Sequence, residues 1–495
     1  MPHLRRSSRL ALALSLLAGL GFSGAAPARA VETLALKLPV IGELITARVS
    51  ELKSQQALWA GDSDLAELNR ATNGRIAAAI WELVHTPMPT VDYQGSAMVQ
   101  QIEVMLSQLL EIDQQQASAL HGRPLAEALQ RLRSNGQPAS LVNVLAEVPA
   151  RKVVIRLDWA VPRLRDLQRE QRALKARLAA LPPLAAAPAS SLRPGAQPVT
   201  TTVSQIPLPG GADRLEVTVV RPTGTPTLPP VVISHGLWDS PASFLGWARH
   251  LASHGAPVFL PRHPGSDLTQ QAEMLAGRMP PPDPREFLRR PADVRAVLDA
   301  LDAGSLRGGE GIRAKGVVMI GHSWGATTAL QLAGARSLQD SRWQECADDN
   351  DPQRNISWVL QCSFLPAATP ESQADPRIVR AVAVSPPQGL VFVQGIRDLQ
   401  IPVLLVSGSS DFVVPTRPEA LATFPSYPRG GSELVVAEGG THFNLPAGAD
   451  SDGGPLRALL LRWVEGPALP KGTGLSDPGG LPLRRVPQAA AAALP

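Results

Sequence analysis

Residues 316–325 read GVVMIGHSWG. An apolar run, Val317 to Ile320, leads directly into Gly321-His322-Ser323-Trp324-Gly325, and a helical pattern follows in Ala326, Ala329, Leu330 and Ala333. Strand, G-x-S-x-G and helix in that order make a sharp turn that lifts a serine hydroxyl out of a sheet. The glycines are needed because a Cβ at either place would meet the neighbouring strand or helix. Ser323 is therefore the expected nucleophile.

A serine hydroxyl attacks only when a neutral histidine takes its proton, and a buried carboxylate must hold that ring in one tautomer. After this turn the acid and the base are expected in that order. The apolar stretch Pro402–Val406 ends in Ser407-Gly408-Ser409-Ser410-Asp411, which makes Asp411 the expected acid. Asp375 and Asp398 compete with it, but neither follows an apolar strand and a Gly-Ser turn. Leu434–Ala437 ends in Glu438-Gly439-Gly440-Thr441-His442-Phe443, and His442 is the only histidine after Ser323. It is the expected base.

The tetrahedral intermediate needs backbone N–H donors. Trp324, which follows the nucleophile, supplies one. The loop His235-Gly236-Leu237-Trp238 after Val231–Ser234 supplies the other, with Leu237 expected and Trp238 next. His235 is expected to brace this loop, and His263 to be structural. Trp238, Phe412 and Phe443 flank these positions and are the expected apolar substrate wall.

The chain has 495 residues, 44% hydrophobic and 18% charged, an ordinary globular balance with room for two or three domains. Of its 47 basic residues, Arg5, Arg6, Arg9 and Arg29 lie in the first thirty, which hold no acid. The remainder carries 43 basic and 43 acidic residues, so it has no net attraction for nucleic acid or anionic lipid. Residues 1–30 read as a signal peptide: a charged start, the apolar stretch Leu10–Phe22, and an A-x-A site at Ala28-Arg29-Ala30. The apolar pair that twin-arginine export requires is missing, which favours the general route. The product is expected outside the cytoplasm, periplasmic or extracellular, with no transmembrane segment. Cys346 and Cys362 are the only cysteines, and an exported chain is expected to pair them as a disulfide. No metal ligand set is visible.

Residues 31–150 read as a small all-α domain, with helices around Val99–Leu110, Pro124–Arg133 and Leu141–Val148. Its histidines, His85 and His121, stand alone and read as structural. Residues 151–198 read as a charged helix, Arg163–Ala180, and a Pro/Ala-rich linker. Residues 199–466 begin with a hairpin around Gly210-Gly211 and then alternate strands and helices. That rhythm predicts an α/β fold with a mostly parallel sheet covered on both faces. Residues 337–375 interrupt it and read as a disulfide-pinned lid. Residues 467–495 are Pro-, Gly- and Ala-rich and read as a disordered tail.

SHGLWDS, PRHPGSD, RRPADVRAVLDAL, GHSWGA, SGSSDFVVP and EGGTHF resemble the α/β-hydrolase superfamily over residues 199–466. Within it the match is similar to the platelet-activating-factor acetylhydrolase and dienelactone-hydrolase-like branch, which also contains cutinase-like and polyester-degrading enzymes. The resemblance implies Ser323 as nucleophile, Asp411 as acid, His442 as base, the amides of Leu237 and Trp324 as oxyanion donors, and no cofactor. Dienelactone hydrolases proper carry cysteine where this chain has Ser323, so their substrate does not carry over. The first third resembles the uncharacterised domain that precedes exported hydrolases of photosynthetic bacteria. The expected function is an exported serine esterase or lipase-like hydrolase acting on small-molecule or lipid esters. The alternatives are a peptidase or amidase with the same residues, and a non-catalytic binding protein on this scaffold.

Overall fold

The computed structural model describes residues 31–39, 44–86, 96–112, 123–208, 214–338, 341–346, 354–466, 469 and 474–494. The expected signal peptide, His121 and the Gly210-Gly211 turn lie outside them. The chain divides into two compact units, residues 1–88 with 109–158, and residues 89–108 with 159–495.

The first unit is not all-helical. Four strands, β1 (Thr33–Lys37), β2 (Leu44–Arg48), β3 (Leu110–Ile112) and β4 (Lys152–Arg156), form a sheet in the order β2-β1-β4-β3. β1 pairs antiparallel with β2 and parallel with β4. β4 could be foreseen, since Val153, Val154 and Ile155 are β-branched. β1, reading TLALK, is made largely of good helix formers and is a strand only because two partners pair with it. The helices Arg123–Ser134 and Leu141–Glu147 lie close to their expected bounds. His85 contacts the Leu52 carbonyl through Nε2 at 2.8 Å, a structural bond within this unit.

The second unit is built on a nine-stranded sheet. In chain order its strands are β5 (Val199–Pro207), β6 (Arg214–Pro222), β7 (Val231–Ser234), β8 (Val258–Pro261) and β9 (Val317–His322). These are followed by β10 (Ile378–Val384), β11 (Val403–Gly408), β12 (Glu433–Ala437) and β13 (Leu483–Val486). The spatial order is β13-β12-β11-β10-β9-β7-β8-β6-β5. The six strands from β12 to β8 run parallel, and the edges β13, β6 and β5 pair antiparallel. Central strands such as β9 are buried along their whole length, as helices on both faces require. Side chains alternate between two cores: Val317 and Met319 enter one, Val318 and Ile320 the other. β8 lies on one side of β7 and β9 on the other, so strand order reverses there. A crevice opens at the carboxyl ends of strands that diverge in this way.

Three expectations change in this unit. Residues 467–495 are not wholly unstructured, because β13 completes the sheet against β12 from Leu434↔Val486 to Ala437↔Leu483. The Pro/Ala-rich segment is not a free linker: Leu184 N–H donates to Leu483 O at 2.9 Å and Ala187 N–H to Ser476 O at 2.8 Å. Segment and tail thus supply each other's backbone partners. Within 337–375, Trp358, Cys362, Phe364 and Leu365 are buried in the core. Cys346 and Cys362 are disulfide-bonded, and Phe364, at the end of the helix Ile356–Phe364, stacks on Trp324 with ring centres 4.3 Å apart. Among the described residues no helix is long and apolar enough to cross a membrane.

Candidate active site

Ser323 caps the helix Trp324–Leu332 with φ 53° and ψ −126°, a conformation that costs a side-chain-bearing residue about 1–3 kcal/mol. The surroundings hold it there. Its N–H donates to Val384 O at 2.9 Å, and its carbonyl accepts from Ala326 N–H at 2.8 Å. The flanking glycines are obligatory: a Cβ on Gly321 would come within 2.0 Å of Gly325 O, and one on Gly325 within 2.1 Å of Ser234 O.

Asp411 lies just beyond β11, His442 just beyond β12 and Ser323 at the end of β9, all at the carboxyl edge. Ser410 N–H donates to Gly440 O at 2.8 Å, which ties the acid loop to the histidine loop. His442 Nδ1 lies 2.9 Å from Asp411 Oδ2. Asp411 is 1% exposed, and its Oδ1 accepts from Val413 N–H at 2.9 Å and Val414 N–H at 2.8 Å. Nδ1 therefore carries the proton and donates, leaving the Nε2 lone pair free. The competing carboxylates are engaged elsewhere. Asp375 pairs with Arg377 at 2.7 Å and Asp398 with Arg336 at 3.4 Å.

A cleft of about 420 Å³ is lined by Ser323, His442, Leu237, Trp238 and Phe443, so the serine and the histidine face one space. A Cβ on Gly236 would lie 3.1 Å from Ser323 Cβ, which places the His235–Trp238 backbone directly against the nucleophile. Trp324 N–H is the first amide of a nine-residue helix, where orphan donors and the helix dipole favour negative charge. Trp238 is not available as an oxyanion donor, because its N–H is taken by Ser266 O at 2.7 Å. Trp238 has φ 56°, and its indole Nε1–H donates to Gln270 Oε1 at 2.8 Å, which fixes the ring.

The apolar wall is smaller than expected. Phe412 does not line the cleft; it sits outside, with its ring 6.4 Å from that of Phe443. Phe443 is 72% exposed and stands at the mouth, its ring edge-on to His442 at 5.5 Å. None of the described residues of 337–375 lines the cleft.

Sequence reasoning passed over several residues. Asp239 and Ser243 line the cleft; Asp239 Oδ1 accepts from Ser240 N–H at 2.8 Å and from the Ser243 hydroxyl, and burial pushes its carboxyl up. His322 Nε2–H donates to His442 O at 3.0 Å and steadies the histidine loop; burial pushes its ring well below the usual range and keeps it neutral. Behind the His235–Trp238 loop lies a sealed polar cluster of Arg290, Asp293, His263 and His235. His263 Nδ1 lies 2.7 Å from Asp293 Oδ2, and its Nε2 lies 2.9 Å from Ser234 Oγ. Burial pushes both histidine rings down and lifts the Asp293 carboxyl to about 7. These histidines are braces, as expected of them. The sequence did carry a sign of the cluster: Arg290 and Asp293 fall on the apolar face of Val294, Val297, Leu298 and Leu301.

Among the described residues, no group of three or more His, Cys, Asp or Glu is placed to hold a metal ion. No curated protein matches the chain. Residues 231–453 match the model of the alpha/beta hydrolase family, and the sheet, its crossovers and the strained serine turn in that segment make it an α/β-hydrolase domain.

Proposed function

We propose that this chain is an exported serine hydrolase that cleaves carboxylic esters through Ser323, His442 and Asp411. The observation that carries the reading is the Asp411–His442 hydrogen bond, with both His442 and the strained Ser323 lining one cleft. In the proposed reaction, His442 Nε2 takes the Ser323 hydroxyl proton while Oγ attacks the ester carbonyl. The carbonyl oxygen gains the charge and is held by the amides of Leu237 and Trp324. Collapse expels the alcohol oxygen, which leaves with the proton from His442. Water, deprotonated by the same ring, then attacks the acyl-enzyme carbonyl, and the Ser323 oxygen leaves with the proton from His442, releasing the carboxylic acid. Asp411 stays ionised and stabilises the imidazolium formed in each step.

The fixed Trp238 ring and Phe443 at the mouth support an ester with an apolar acyl or alkyl group. The motifs SHGLWDS, GHSWGA and EGGTHF support placement in the platelet-activating-factor acetylhydrolase and dienelactone-hydrolase-like branch. The arginines and apolar stretch of residues 1–30, together with the Cys346–Cys362 disulfide, support export.

The test is hydrolysis of short-chain p-nitrophenyl esters together with labelling by a fluorophosphonate. Wild-type protein is expected to turn over and to label on Ser323. Ser323→Ala is expected to lose about 10⁶-fold in kcat and all labelling. Turnover by Ser323→Ala at the wild-type rate would remove the serine from the chemistry.

A further inference from the structure

We propose that Arg290 is a positioning residue that aims the Leu237 amide at the oxyanion. The proposal rests on the acyl-transfer reading of Ser323. Arg290 is fully buried in the helix Glu286–Asp302. Its Nη1 donates to His235 O at 2.6 Å, and its Nη2 to Gly236 O at 3.1 Å and Ser266 O at 3.3 Å. Nε donates to Ser266 Oγ at 3.0 Å. One guanidinium thus grips two successive carbonyls of the loop that passes against Ser323.

The consequence follows from peptide geometry. A trans peptide is planar, and its N–H points opposite to its C=O. With Gly236 O held on the guanidinium side, Leu237 N–H must point the other way, toward the cleft that Leu237 lines. Gly236 O also accepts from His235 Nδ1–H at 2.7 Å. The His235 ring is set in turn, because its Nε2 accepts from His263 N–H at 3.0 Å. Trp238 N–H is bound to Ser266 O, so of the two expected donors it is Leu237 whose amide is left for a ligand.

The same helix is tied to the second donor. Pro291 has no N–H, so the Phe287 carbonyl one turn back lacks its helical partner. Gln331 Nε2, on the helix that begins with Trp324, donates to that carbonyl at 2.9 Å. The helix carrying Arg290 and the helix presenting the Trp324 amide therefore form one frame. Lysine could not replace the arginine, since a point-charge ammonium cannot span three carbonyls and a hydroxyl in one plane. Burial lowers the Arg290 pKa only to about 10, with Glu286, Asp293, Asp239 and Asp267 compensating the charge, so it is a cation at neutral pH.

The test compares wild type with Arg290→Lys and, as a milder change, Ser266→Ala, in full-length protein with the active fraction counted by fluorophosphonate titration. Per active site, Arg290→Lys is expected to lose about 10²-fold in kcat, the cost of one oxyanion donor, with KM within about threefold. Its affinity for a trifluoromethyl ketone, which forms a tetrahedral adduct, should fall by a similar factor, while that for the product alcohol stays constant. Ser266→Ala should show the same selective loss at about 3–10-fold, and decides the matter if Arg290→Lys does not fold. Variants that match wild type per titrated site, or lose ketone and alcohol binding alike, would overturn the proposal while leaving the ester reading intact. Wild-type protein that neither labels nor binds the ketone would overturn both.

Discussion

Replacing Asp411 with asparagine separates the charge of the acid from its shape. The carboxylate is 1% exposed and fully engaged: Oδ1 accepts two backbone N–H groups and Oδ2 accepts His442 Nδ1–H. Asparagine offers one oxygen and one NH₂. Val413 and Val414 N–H both require the oxygen, and the reverse orientation would leave two buried donors facing an NH₂, each costing about 1–3 kcal/mol. The NH₂ must therefore face His442, whose Nδ1 then has to accept. The ring proton moves to Nε2, the atom that should take the proton of Ser323. The expected loss in kcat is about 10⁴-fold, or about 5.5 kcal/mol in the barrier, with near-native stability because the side-chain volume is unchanged. The assay is steady-state hydrolysis of a short-chain p-nitrophenyl ester, with near-ultraviolet circular dichroism to establish the fold. A folded Asp411→Asn protein within tenfold of the wild-type kcat would refute the tautomer argument.

Three further outcomes follow from the structure. His250 is buried, and burial, with the charges of His254 and Arg457, lowers its pKa to about 4. Its contribution is complete above the unfolded value near 6.5 and is lost as pH falls through about 4, because the unfolded chain binds the proton first. Urea titrations should show the stability advantage of wild type over His250→Gln shrinking from pH 7 to pH 4, on the order of 3 kcal/mol at the limit; a gap independent of pH would reject the assignment. The Cys346→Ser, Cys362→Ser double variant opens a crosslink between residues 16 apart, so it should lose about 3 kcal/mol of stability. Its KM should hold within twofold, since no described residue of 337–375 lines the cleft, and a large rise in KM would return that segment to a role over the site. Deleting residues 467–495 removes β13 and bares the apolar edge of β12, so light scattering should show concentration-dependent association and the Tm should fall. An unchanged, monodisperse truncation would make β13 dispensable.

The second unit was legible because its signals are local. A buried parallel strand is a short apolar run, and each candidate site loop at its end begins with small residues; both patterns are readable at 317–325, 403–411 and 434–442. The sheet of the first unit is not legible, because a five-residue strand such as TLALK has no helical or strand period long enough to distinguish, and its partners lie elsewhere in the chain. The tail failed for a related reason. Low-complexity composition describes what a segment cannot do alone, whereas LRRV at 483–486 is ordered by the strand beside it.

The fold class of residues 199–466 is legible in the sequence, and so are the positions at which a serine, an acid and a histidine are expected, because a strand, a tight turn and a helix are each encoded within a few neighbouring residues. Which amides are left to meet a ligand, where Phe412 stands relative to the cleft, and the hold of Arg290 on the loop beside Ser323 emerge only when distant segments come together. The hold of Arg290 on the loop depends on groups bonded across 24 to 55 positions of chain, and a hydrogen bond consumed at such range leaves no mark in the local pattern.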